Sequence, residues 1–136
     1  MVDMQQESLP KLVNVDQIEP TPRYPKGGAI VKVLLSSRTV GTKTAELGIF
    51  IANPGQGSDW HFHPTFVEPG LPEEDLFYVI KGEGTLFFKE DGEVKSMKIK
   101  SGDAVFTGHV EHCTKNTGAE PLIIIFARAP ITRVKD

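Results

Sequence analysis

Four histidines stand in two tight groups in this chain of 136 residues: His61 with His63, and His109 with His112. Neutral imidazole is the commonest protein metal ligand. Two residues apart on a strand, His61 and His63 point to the same face, so both rings can converge on one point, and Asp59 shares that face. His112 falls on a short strand-like run that ends at the turn Asn116-Thr117-Gly118. Between the two groups, the acidic cluster Glu73-Glu74-Asp75 abuts the apolar run LFYVI, in which Asp75, Phe77 and Val79 share one face. One carboxylate can therefore point inward beside histidines from two other strands. Three imidazoles and a carboxylate suit one divalent first-row metal, such as Mn, Fe, Ni, Co or Zn. Six-coordinate geometry would leave two positions for water or substrate. Taken without that company, His61 and His63 read as two surface histidines at a strand end.

The elements that must position these residues read as β. Thirteen glycines and ten prolines punctuate the chain, which favours short strands and turns over long helices. Strand-sized runs cover 29–35, 46–52, 59–63, 75–80, 85–88, 94–100, 104–107, 111–115 and 122–127. They recur roughly every 8–12 residues, the spacing of an all-β sandwich or barrel. Lys89-Glu90-Asp91-Gly92-Glu93 is a hairpin connection with Asp-Gly at its centre. Residues 1–28 carry Pro10, Pro20, Pro22 and Pro25, which disfavour helix. They read as an extended arm whose Leu12, Val13, Val15 and Ile18 can pack on the body or on a partner chain. The expected organisation is this arm, a β domain over 29–130 and a tail over 131–136.

Composition narrows the function. Fifteen basic against eighteen acidic residues give a net charge of −3, without the basic excess of a nucleic-acid binder. The strongest apolar run, 122–127, is far shorter than the roughly 20 residues that span a bilayer. The single cysteine, Cys113, allows no intramolecular disulfide and fits a reducing compartment. The polar start MVDMQQESLPKL lacks the apolar core of a leader. A soluble cytoplasmic protein, with neither a nucleic-acid nor a membrane partner, is the expectation.

The motifs as a set carry a resemblance. Gly55-x5-His61-x-His63 followed by Asp75-x6-Gly82 resembles the first conserved motif of the cupin family. Gly102-Asp103 followed by His112-x3-Asn116 resembles the second. The resemblance covers roughly residues 45–127. It implies a single-domain cupin-type antiparallel β-barrel, a double-stranded jelly roll, often a homodimer, with a metal inside the barrel. On that pattern the ligands are His61, His63, Asp75 and His112. The chain departs from the pattern in three places. Asp75 stands where a glutamate is usual. The segment between His63 and Asp75 is longer than the family's three or four residues. It includes Glu68, a rival carboxylate at the family's spacing from His63; the strand register of Asp75 is the better anchor. Thr107-Gly108-His109 replaces the usual proline and glycine of the second motif.

Other residues have two readings each. His109 is a general base or extra ligand near the barrel mouth, or a solvated loop histidine. Cys113 faces away from His112 as a small buried hydrophobe, or is a nucleophile. Trp60 and Phe62 face away from the histidines and read as packing, and Tyr78 alternates away from Asp75 onto the other face. Phe66, Val67 and Leu71 form a lid over the site or pack on a dimer mate. The resemblance implies a metal-dependent enzyme acting on a small polar or carboxylate- or carbonyl-bearing molecule, with dioxygenase, decarboxylase, isomerase, epimerase or lyase chemistry all open. The alternatives are a non-catalytic module that captures a sugar or other small ligand on a metal anchor, and a storage or sensor protein with a structural metal.

Overall fold

Period-two alternation in the sequence becomes strand structure at eight places. The computed structural model describes residues 9–62 and 73–131. Within them lie β1 (Ile30–Leu35), β2 (Glu46–Ala52), β3 (Glu74–Lys81), β4 (Glu83–Glu90), β5 (Glu93–Lys100), β6 (Ala104–Phe106), β7 (His112–Lys115) and β8 (Leu122–Ala129). They form two antiparallel sheets, one in the order β1-β2-β8-β3-β6 and one in the order β5-β4-β7. The expected all-β, antiparallel class is what the chain adopts. Among the described residues no helix is long and apolar enough to cross a membrane.

The inward faces follow from the alternation. Phe50 and Ala52 of β2, Phe77 and Val79 of β3, and Leu122, Ile124 and Phe126 of β8 are buried. Leu86 and Ile99 of the smaller sheet join them in one apolar cluster. In the same phase as these apolar side chains stand three charged ones, Glu46, Asp75 and Arg128, all buried. A charge is costly to bury unless it is partnered, so their position on the inward face already marks a polar interior at one end of the barrel. The hairpin between β4 and β5 turns on Asp91 (φ 52°) and Gly92 (φ 78°). Two successive positive φ values are what a two-residue type I′ turn requires.

The structure corrects part of the expected strand pattern. The run 59–63 is no regular strand: in its described part His61 makes a single bridge to His112. Its neighbours therefore lack a second packing layer. Trp60 is 39% and Phe62 59% exposed, so they do not pack in the interior. Trp60 instead lies under the Lys89 ammonium, 5.1 Å from the ring centre. Tyr78 does face away from Asp75, outward. β8 runs further than expected and thereby takes in Arg128.

The described part of the N-terminal arm lies along its own body. Thr21 N–H donates to the Val31 carbonyl at 2.7 Å. Lys32 Nζ donates to the Val15 carbonyl at 3.1 Å and Lys11 Nζ to that of Val40 at 2.9 Å. Val15–Gln17 forms one 3₁₀ turn capped by Asn14.

Leu122 is fully buried, whereas Leu76 on the outer face of β3 is 51% exposed. Leu122→Ala should lower the unfolding free energy by about 2–5 kcal/mol in urea titrations. Leu76→Ala should stay within about 0.5 kcal/mol of the parent. Equal losses would contradict the assignment of inner and outer faces.

Candidate metal centre

His61 reaches the interior because residues 57–61 are laid against β7. Ser58 N–H donates to the Thr114 carbonyl at 2.8 Å, and Thr114 N–H donates back to Ser58 Oγ at 2.9 Å. His61 and His112 then exchange backbone bonds in both directions, at 2.9 and 2.8 Å. Gly57 makes the approach possible: a Cβ there would run into the Thr114 carbonyl, so only glycine fits.

Both imidazoles are oriented by their own backbone. His61 Nδ1 bonds the Asp59 carbonyl at 2.7 Å, and His112 Nδ1 bonds that of Val110 at 2.9 Å. A carbonyl oxygen only accepts, so Nδ1 donates in each ring and Nε2 carries the lone pair of the neutral form. This is the arrangement by which metal-binding histidines are fixed in tautomer and orientation. The ring centres are 4.5 Å apart with 60° between planes. Asp75 lines the same cavity, of about 40 Å³, as these two histidines. Its backbone carbonyl is held by the N–H and hydroxyl of Thr107, at 3.2 and 3.3 Å. Two imidazoles presenting Nε2 and a carboxylate on one wall are a donor set that fits a divalent transition metal. Among the described residues no three His, Cys, Asp or Glu side chains stand together as a ready-made metal cluster. His63, the rival carboxylate Glu68 and the expected lid residues Phe66, Val67 and Leu71 lie outside the described residues.

Asp59 does not join the histidines. Its carboxylate turns to the arm and accepts the Gly27 N–H at 2.5 Å and the Lys26 N–H at 3.1 Å. The expectation failed because strand parity does not hold through a segment that makes one bridge. His109 is exposed, edge-on to Phe106 at 5.7 Å, and lies apart from the residues that line the cavity. Cys113 is buried, with Sγ 3.6 Å from the Ser58 carbonyl. Burial pushes its thiol up from the ordinary range, which keeps it protonated and unreactive. Asn116 is a clip: its Nδ2 donates to the carbonyls of Ala52 and Glu120 at 2.8 and 2.7 Å, and its Oδ1 accepts from Gly118 N–H at 2.9 Å.

Sequence reading missed the rest of the wall. Arg128 is paired in register with Glu46 across β2 and β8, and its guanidinium contacts the Glu46 carboxylate. Arg128 Nη1 is 3.7 Å from Glu73, and Arg23 of the arm is 3.7 Å from Glu46. The signal was there: Glu46 and Arg128 each continue an apolar inward phase, and two opposite charges on inward faces call for one another. Removing one partner of such a buried pair costs about 3–5 kcal/mol, because the other charge is stranded. Tyr24, also from the arm, sits edge-on to Phe50 at 6.2 Å and tilted against His61 at 5.4 Å. No periodicity in the proline-rich arm pointed to it.

Asp59→Ala removes the acceptor of two arm amides. It should cost about 1–3 kcal/mol and speed hydrogen exchange at the Lys26 and Gly27 amides, with β4 unaffected. Unchanged exchange at those two amides would show that Asp59 does not hold the arm.

A family model described as a cupin domain matches residues 48–128. The chain is 30% identical over 122 residues to polyketide synthase CurC of Streptomyces cyaneus, covering 90% of this chain and 71% of that protein. Among solved structures, a predicted oxalate decarboxylase of Thermotoga maritima superposes with a TM-score of 0.65 at 25% identity, covering 89% of this chain and all of that one. An oxalate decarboxylase of Bacillus subtilis that carries Mn(II) centres superposes with a TM-score of 0.69 at 21% identity. That likeness is one of fold; it covers 85% of this chain, which spans only 29% of that enzyme.

Proposed function

The chain belongs to the cupin-domain family, and from that premise we propose that it is a metal-dependent enzyme acting on a small carbonyl- or carboxylate-bearing molecule. His61, His63, Asp75 and His112 are its metal ligands in this reading. The observation that carries it is the pair of Nδ1 bonds to the Asp59 and Val110 carbonyls, which presents the lone-pair nitrogens of His61 and His112 in one cavity. The Mn(II) centres of a protein of the same fold support a divalent cation as its occupant. A divalent metal bound there would supply a Lewis acid for the oxygens of the ligand.

The remaining wall states what the chain's own residues do. Arg23 and Arg128, ion-paired with Glu46 and Glu73, border the cavity, and Ser58, Thr107 and Thr114 add polar groups. Phe50, Phe77, Ile124 and Phe126 form its apolar side, which limits water around a bound ligand. Guanidinium and hydroxyl donors over an apolar floor suit a compact molecule with carboxylate, carbonyl or enolate oxygens. The likeness to a polyketide synthase makes a poly-carbonyl compound one such candidate. The homodimer expected from the resemblance belongs to the same reading. The outer face of β3 and β6, with Leu76, Tyr78 and Phe106 about half exposed, is the apolar surface that such a pairing would cover.

Purified protein loaded with Mn(II) or Co(II) should hold about one ion per chain by elemental analysis. His61→Ala and His112→Ala should each lose at least tenfold in metal affinity, since even residues that only orient metal ligands cost 10–100-fold. Metal content and affinity unchanged in both variants would overturn the proposal.

A further inference from the structure

We infer that Tyr24, delivered by the N-terminal arm, is the hydrogen-bond donor that orients an oxygen of the bound ligand. The inference rests on the cavity being the ligand site, as read above, and adds the residue that selects for an oxygen acceptor, whether carbonyl, enolate or carboxylate.

Placement is the first argument. Tyr24 lines the cavity beside His61 and Asp75, although it lies in the arm and outside every strand. Its ring is seated on Phe50 and His61, so its position is set by packing on the same imidazole that presents Nε2 inward. The second argument is how firmly the backbone is held. The Tyr24 carbonyl accepts the Gly28 N–H at 3.0 Å. The next two amides, of Lys26 and Gly27, are taken by Asp59, and the Gly27 carbonyl accepts the Gly57 N–H at 2.9 Å. The stretch that carries Tyr24 is thus clamped to the stretch that carries His61. Such support is what holds a binding group within a fraction of an ångström of its working position.

The third argument is the state of the phenol. Among the described residues its hydroxyl makes no hydrogen bond. The phenol lines the same cavity as Arg23, Arg128 and Asp75, and its O–H can donate to an oxygen there. A hydroxyl donor without a protein acceptor matches a ligand oxygen. A site built to bond an oxygen discriminates strongly against molecules that lack one.

Tyr24→Phe separates the hydroxyl from the ring, because phenylalanine retains the contacts with Phe50 and His61. The experiment titrates Co(II)-loaded parent and variant with oxalate and with 2,4-pentanedione and follows the visible cobalt spectrum. Cobalt content and melting temperature are measured alongside. The inference expects unchanged cobalt content and melting temperature, with affinity for at least one probe weakened about tenfold. Equal affinities in parent and variant would overturn it, as would a parent that binds neither probe. A fall in cobalt content in Tyr24→Phe would assign the phenol to His61 instead of the ligand and would overturn it too. A parent that holds no cobalt fails the metal reading itself, and elemental analysis shows that before any probe is added.

Discussion

The reciprocal backbone bonds between His61 and His112 are the constraint on which the rest of the site depends. They fix the register of an irregular segment against β7, and without them nothing in that segment would hold His61 opposite His112. Everything around the pair serves that register. Gly57 has no side chain where the Thr114 carbonyl comes close. Ser58 bonds Thr114 through both backbone and hydroxyl. The same short segment then spends its Asp59 carbonyl on the His61 ring and its Asp59 carboxylate on the arm. One residue thereby couples the orientation of a candidate metal ligand to the docking of residues that lie far away in sequence.

Much of this was legible in the sequence. The phase of Asp75 with Phe77 and Val79 predicted a buried carboxylate, and β3 has it. The Asp-Gly hairpin was readable because positive φ at both central residues admits few residue types. His112 fell on its expected strand, and Cys113 is the buried small residue that was anticipated. What failed was parity through 59–63. A segment with one bridge has no second strand to enforce alternation, so Asp59 turns to the arm and Trp60 to Lys89. Arg128 and Glu46 escaped notice because a charge in phase with a core face looks like an end effect until its partner in the neighbouring strand is known. Tyr24 lay in an arm without periodicity, where neither a face nor a register could be read.

The interior combines opposite demands. Phe50, Val79, Leu122 and Ile124 supply the apolar burial that holds the two sheets together. At one end of the same cluster, the ion pairs of Arg128 with Glu46 and Glu73, extended by Arg23, join β2, β8, the start of β3 and the arm. Buried ion pairs add little net stability over an apolar filling, yet breaking one strands a charge. A chain that keeps them beside two oriented imidazoles places a charge-compensated ion-pair network at the edge of a small cavity. In low dielectric such pairs interact strongly with each other, which fixes the edge of the cavity.

The most direct test of the account is the coordination of a bound metal, read by pulsed electron paramagnetic resonance and X-ray absorption on Mn(II)-loaded protein. The account predicts couplings from imidazole nitrogens of His61, His63 and His112 and an oxygen-rich remainder that includes the Asp75 carboxylate. A bound ion surrounded by oxygen alone, with no imidazole nitrogen coupled to it, would contradict the central claim.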